Sequence, residues 1–475
     1  MSHASLPGSS SAPSTEPAAR AGQAPPGPSR TPLLAGVLLA LFLAAADSTV
    51  VGSLLPTMAG QLGQADLYPW LISAFLLTSV LITPLAGFAA DRFGGRNSML
   101  AALTAFALAS AAVAAATTMP LLIAARAAQG VGAGAVAALT YVLIGQAFAP
   151  QERARMQALL SAVWGLAAVA GPARGTAAEA TVGWRWVFLI NVPLAVVAAF
   201  LVRRVPAAPA QSPRTLRPLT LLTFAVALGG ALLLIEAPVL GLPAVAVVVL
   251  AVVTVAALVG HVLQVRRKPD GAVVPVAFAV RGEQRAAALV TIGAAAVLYA
   301  SVTLLPLALA ANGTVGDTAS GLFVIAGALG WVVGSAVCAG LLQRFGARGA
   351  AALGGLLLTA GPLVLVLGGS ESLLLAIVGE ALAGLGTGFV ATTGLVHVQN
   401  TSPAQWLGAY TAGITLCRNI GAALGVNLLA TVQLVAAERG SGADPAGGSY
   451  QAAFVSLAVV GLLTLAGALR LPKRG

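Results

Sequence analysis

Asp47 lies within the apolar run LLAGVLLALFLAAADSTVVGSLLP, residues 33–56. A carboxylate at the centre of a membrane helix costs about 2.5–3.5 kcal/mol on insertion scales, so it marks a proton or cation site or one half of a buried ion pair. Arg126 is a second such charge, in the glycine-rich segment AARAAQGVGAGAVA. Glu380, in VGEALAGLGTGFVA, and Arg418, in the run after Trp406, are a third and fourth. At 1.5 Å per helical residue, Asp47 stands about 21 Å from one face and Arg126 about 10 Å from the other, which in a core about 30 Å thick is nearly one level. Glu380, about 13 Å below the outer face, and Arg418, about 20 Å above the inner one, agree similarly. Each pair reads as a structural ion pair, as one broken and remade by protonation, or as both.

The elements that carry these charges are membrane spans. The chain has 475 residues, 58% hydrophobic and 8% charged, where a globular domain carries about 25% charged residues to cover its surface. Lipid is therefore its solvent. The net charge of +11 comes from short basic clusters between apolar runs, a topology signal that argues against nucleic acid as a partner. Cys338 and Cys417 both fall inside predicted spans, so neither a disulfide framework nor a metal site is expected, and no cofactor is implied.

A 20-residue window gives about fourteen helices, near residues 33–57, 68–90, 98–118, 119–145, 156–179, 184–204, 216–236, 242–265, 286–311, 318–342, 347–369, 371–397, 406–436 and 450–471. Residues 1–32, rich in Pro, Ser, Ala and Gly, read as a disordered cytoplasmic tail. Ala44–Ala46 mimics a signal-peptidase site, but the preceding tail is too long and the apolar run continues past it. Arg92, Arg96, Arg153, Arg155, Arg203, Arg204, Arg214, Arg217, Arg266, Arg267, Lys268, Arg281, Arg285, Arg344, Arg348, Arg470, Lys473 and Arg474 fall on one side, whereas Asp66, Glu236, Asp317, Glu371 and Asp444 mark the other. Positive-inside asymmetry then places both termini in the cytoplasm.

An internal repeat sets Arg126 over Glu380, Gly130, Gly132 and Gly134 over Gly384, Gly386 and Gly388, and DRFGGR (91–96) over QRFGAR (343–348). It implies an all-α membrane protein with a six-helix bundle at 33–205, a linker with two extra helices at 206–285, a second bundle at 286–471 and a short tail at 472–475. Parallel repeats of this kind are a transporter architecture with the site at the repeat interface.

In GFAADRFGGR, Gly87 permits close helix approach, Asp91 can cap or pair at a helix end, Gly94 allows a tight turn, and Arg92 and Arg96 can pair with acids or helix C-termini. This motif resembles the cytoplasmic loop of the major facilitator superfamily, where it would serve as a conformational latch. DSTVVGSLLP from Asp47 and RAAQGVGAG from Arg126 resemble the first- and fourth-helix motifs of its fourteen-span drug:proton antiporters. WGLAAVAGPARGTAAEATVGWRW, carrying Gly165, Gly171, Pro172 and Gly175, is similar to their fifth-helix antiporter motif. Arg174 and Thr176 depart from it, standing where an apolar residue and a glycine are usual. On a close-packed face they are expected to loosen the outer half, with Arg174 able to snorkel outward.

The resemblance implies a multi-pass protein of the cytoplasmic membrane, with a small-molecule substrate and protons as partners in a lipid bilayer, and a monomer. Its implied activity is proton-driven export of lipophilic, often cationic compounds, with Asp47 and Arg126 in proton coupling. A carrier of one defined metabolite, or a membrane sensor that transports nothing, are the alternatives. No GxxxxGK[ST] loop, HExxH or Ser/His/Asp arrangement occurs, which leaves ATP-driven transport and enzyme chemistry unsupported. His397, at the cytoplasmic end of its helix, reads as an interfacial residue more than as a proton relay, and Trp164 and Trp331 as core packing or cavity lining.

Overall fold

The computed structural model describes residues 30–64, 67–204, 217–237, 240–269, 272–311, 320–369, 372–439 and 445–473. Most of the expected tail, the acids Asp66, Asp317, Glu371 and Asp444, and Arg214 and Arg474 lie outside these residues.

Every regular element among the described residues is helical. Inside a bilayer only helices and closed barrels satisfy the backbone internally, and apolar runs of this length meet that condition as helices. In order they are α1 (Thr31–Leu62), α2 (Tyr68–Phe93), α3 (Gly95–Ala115), α4 (Met119–Ala147), α5 (Pro150–Thr181), α6 (Trp184–Leu189) and α7 (Asn191–Arg203). There follow α8 (Pro218–Glu236), α9 (Ala244–Arg267), the one-turn α10 (Ala277–Val280), α11 (Gly282–Ala311), α12 (Ser320–Val364), α13 (Leu373–Thr401), α14 (Leu407–Arg439) and α15 (Pro445–Ala468).

Twelve stretches of the described residues are long and apolar enough to cross a membrane, two fewer than expected from the sequence. One of them, Leu322–Gly368, is 47 residues long, and helix α14, with Arg418 and Asn419 inside it, is not among the twelve. Helix α12 has 45 residues and breaks its helical geometry at Gly346 (φ 67°, ψ 178°). The expected sixth span, in turn, is divided into α6 and α7 at Ile190.

Glycines set the packing around α4 and α13, and they do so twice. A methyl group on Gly130 or Gly134 would strike α2 at Phe75 or Ser79, and one on Gly132 would strike Phe106 of α3. On α13, Gly384 and Gly388 meet the first part of α12 at Gly327 and Trp331, and Gly386 meets its second part at Gly354 and Leu358. The two parts of α12 thus do for α13 what α2 and α3 do for α4. Gly346 stands at the repeat position of Gly94, whose φ of 86° makes the turn between α2 and α3. Left-handed backbone of this kind is open to glycine at little cost.

Helix α1 packs on α5, α7 and α4, and α11 packs on α14, α15 and α13. The pair α8 and α9 packs together, with α8 touching α2 and α14. Val245, Val248, Val249, Val252 and Val255 of α9 are all exposed, so this helix presents its apolar side chains to lipid.

Candidate functional site

Asp47 and Arg126 meet in the centre of the first group of helices. Arg126 Nη1 donates to Asp47 Oδ2 at 2.7 Å, and Asp47 is 0% and Arg126 2% exposed. Neutral amides close the carboxylate's other side. Gln129 Nε2 donates to Asp47 Oδ1 at 3.1 Å and to Ser110 Oγ at 2.9 Å, and Asn191 Nδ2 donates to Asp47 Oδ1 at 2.8 Å. Gln129 Oε1 accepts from Arg126 Nη1 at 2.6 Å, while the guanidinium carbon lies 4.1 Å from the centre of the Phe75 ring. The Asp47 carboxylate thus accepts from three side chains, Arg126, Gln129 and Asn191, drawn from two other helices. Once protonated it keeps one oxygen able to accept freely, so the whole network must rearrange.

Gln129, Ser110 and Asn191 were absent from the sequence expectation. Gln129 carried a signal, since it stands one helical turn from Arg126 and so shares its face. Asn191 did too, as an amide opening an otherwise apolar helix.

The expected Glu380–Arg418 pair does not form. Glu380 is fully buried and its Oε1 accepts from Ser301 Oγ at 3.1 Å, while Oε2 has no hydrogen-bond partner. Arg418 instead donates from Nη1 to the Tyr141 hydroxyl on α4 at 3.1 Å. Matching depths set height along the membrane normal and say nothing of rotation about the helix axis. Glu380 faces α11 and the first part of α12, whereas Arg418 faces across to α4 and α5.

At the basic end, the loop motif joins the two helix groups. Asp91 accepts from the backbone amides of Gly408 and Ala409 at 2.7 and 2.8 Å, so its carboxylate caps the N-terminus of α14, where the helix dipole favours a negative charge. One turn earlier, a methyl group on Gly87 would meet the Gly408 carbonyl and Ala412. Arg92 is exposed and Arg96 half-buried. Arg153 adds hydrogen bonds across the same end, to the Gln399 carbonyl at 3.0 Å and Asn400 Oδ1 at 2.8 Å. In mid-molecule Ser161 Oγ meets Ser335 Oγ at 2.9 Å.

The α5 motif is divided between two neighbours. Gly165 faces Val332 of α12, and Gly171 faces Ala46 and Thr49 of α1. Gly175 is buried, and Pro172 is an exposed proline inside the helix. Two expectations need correction here. Thr176 is exposed, with its hydroxyl turned back to the Pro172 carbonyl at 3.1 Å, so it is not on the packing face. Arg174 does not snorkel outward: its Nε and Nη2 are buried without hydrogen-bond partners, and it lies within electrostatic range of Asp47. His397 is 4% exposed, with Nε2 3.9 Å from Glu283 Oε2.

Over residues 37–426 the sequence matches the family described as Major Facilitator Superfamily. The chain belongs to this superfamily. Its twelve described stretches long and apolar enough to cross a membrane fit that membership. Among similar curated proteins, "Multidrug transporter protein MdtP" of Bacillus subtilis (strain 168) is 38% identical over 175 residues, 37% of this chain and 32% of that protein. "Multidrug resistance protein 3" of the same organism is 32% identical over 169 residues, 36% of this chain and 33% of that protein. "Efflux pump FUS6" of Gibberella moniliformis (strain M3125 / FGSC 7600) is 33% identical over 163 residues, 34% of this chain and 29% of that protein. The aligned part of this chain thus spans about a third of each relative's length. Among solved structures, the human organic anion transporter MFSD10 (TETRAN) superposes with a TM-score of 0.68 at 18% identity, covering 93% of this chain and 100% of that one. The proton:xylose symporter XylE gives 0.63 at 13% identity, covering 92% and 94%. At such identities the likeness shows the fold.

Proposed function

We propose that the chain is a proton-coupled antiporter that exports lipophilic small molecules, with Asp47 as the proton site and Arg126 as the partner it releases. The observation that carries this reading is the buried carboxylate bound by Arg126, Gln129 and Asn191. A proton on Asp47 removes the charge that holds Arg126, so the helices α1, α4 and α7 lose their common anchor. Deprotonation restores it. With Asp47 open to one side of the membrane at a time, substrate and proton must move in exchange. Asp91 and Arg153 then hold the basic end shut in the conformation seen here. The multidrug and efflux names of the partial relatives support the substrate class.

The same reading includes fourteen spans, with α12 crossing twice around Gly346 and α14 as a further span. At 1.5 Å per residue a 45-residue helix runs to about 68 Å, more than twice a core of about 30 Å. It also places the basic end and both termini in the cytoplasm, in a cytoplasmic membrane and as a monomer, with bundles at 33–205 and 286–471. The test is a resistance profile in a pump-deficient host expressing the chain. Protection against several chemically unrelated compounds, lost with Asp47→Asn at equal membrane level, is the expected result. Protection against one compound alone favours a carrier of a single metabolite, and none at all would overturn the exporter reading.

A further inference from the structure

Between the two helix groups, Tyr141 and Gln157 face Thr291, Leu395, Thr415 and Arg418 across a cavity of about 20 Å³. That is room for about one water. Its walls come from both groups, so their separation widens it. Arg418 is the only charged residue in the lining, and no carboxylate among the described residues pairs with it. Asp47 is held by Arg126, and Glu380 is fully buried on Ser301. What Arg418 has instead is aromatic: its guanidinium carbon lies 5.3 Å from the centre of the Tyr141 ring and 6.0 Å from that of Trp164.

The hydrogen bonds around Tyr141 leave polar groups of the cavity lining without partners. The Tyr141 hydroxyl accepts from Arg418 Nη1 at 3.1 Å and from Trp164 Nε1 at 3.0 Å. With both lone pairs used, its own proton is left to donate. Thr291 Oγ1 is buried without a partner, as is Gln157 Oε1. Tyr299, 36% exposed, stands within electrostatic range of Arg418 and Tyr141. The cavity therefore offers a guanidinium, a phenol proton, a threonine hydroxyl able to donate or accept, and the Gln157 amide, with aromatic faces beside them and no carboxylate. A guanidinium in a low-dielectric site is stabilised by a negative partner, and a planar carboxylate matches its donor geometry.

We propose that this cavity binds the carboxylate of an amphipathic aromatic substrate, with Arg418 reading the charge and Tyr141 and Thr291 donating to it. The inference rests on the transporter reading above and replaces the cations of the sequence expectation with organic anions. A cation there would face Arg418 directly, with no acid in the lining to offset it.

The test measures binding of 1-naphthylacetate, 1-naphthylacetamide and 2-(1-naphthyl)ethylammonium to the purified full chain in lipid nanodiscs, with no gradient present. The acetate should bind at least tenfold more tightly than the ammonium. Arg418→Gln should abolish that preference with acetamide binding kept within twofold, and Arg418→Lys should keep part of it. Equal or tighter ammonium binding, no acetate binding, or an unchanged preference in Arg418→Gln would overturn the proposal. If Arg418→Gln fails to accumulate, Thr291→Val takes its place: a threefold or greater loss of acetate affinity is expected, and none counts against it. Because binding needs no proton flux, gradient-driven export of another compound would survive that failure. Carboxylate binding would likewise survive a failure to move protons.

Discussion

Replacing Asp91 with Asn should open the basic end. The carboxylate accepts from the Gly408 and Ala409 amides at the start of α14, and both bonds are charge-assisted. A hydrogen bond to a charged group contributes about 1.5–3 kcal/mol. Asparagine keeps one acceptor oxygen, so about one such bond and part of the helix-dipole interaction disappear. When the halves part, the freed amides go to water, so the loss falls on the closed state alone. A change of about 1.5–3 kcal/mol shifts the closed-to-open ratio roughly 10- to 150-fold. The assay is a spin-label distance across the basic end, between Gln151→Cys and Ala404→Cys, two exposed positions. The background carries Cys338→Ala and Cys417→Ala. Asp91→Asn should move the main population to longer distance. An unchanged distribution would refute the claim that this cap holds the two groups together.

Gly87→Val places a side chain against the Gly408 carbonyl and Ala412, so it should lengthen the same distance, whereas Gly340→Val, with open space around it, should not. Asp47→Asn strands Arg126 in a dry site and should lower unfolding stability by about 3–5 kcal/mol. Adding Arg126→Gln should recover most of that without restoring proton coupling, and thermal unfolding of the single and double variants checks it. Arg174→Leu removes two buried donors without partners and should raise stability by about 1–3 kcal/mol. A lower unfolding midpoint would show that Arg174 has a partner in the native state.

The charges and glycines were legible in the sequence because they are the rarest and the most position-bound residues in a lipid-facing chain. Asp47, Arg126 and the Gly87–Asp91 motif stand out against apolar runs, and the repeat aligns the segment of Gly94 with that of Gly346, although the turn at Gly346 itself was not read from it. Glu380 and Arg418 misled because depth follows from counting residues, whereas which face of a helix meets which neighbour is decided by packing. Gln129, Ser110 and Asn191 escaped because a neutral polar side chain is tolerated in many places, and its meaning here comes from convergence on one carboxylate. Arg174 was placed outward by the general preference of long cations for the interface, whereas the packing around α5 leaves its Nε and Nη2 buried.

The central claim is that Asp47 exchanges a proton for substrate, and one measurement tests it most directly. The chain is reconstituted in proteoliposomes with a pH-sensitive dye in the lumen, and a compound from its own resistance profile is added outside. Substrate-evoked proton movement should appear with the native chain and be absent with Asp47→Asn at equal protein density. Proton movement of undiminished size in Asp47→Asn would contradict the account and return the Asp47–Arg126 contact to a purely structural ion pair.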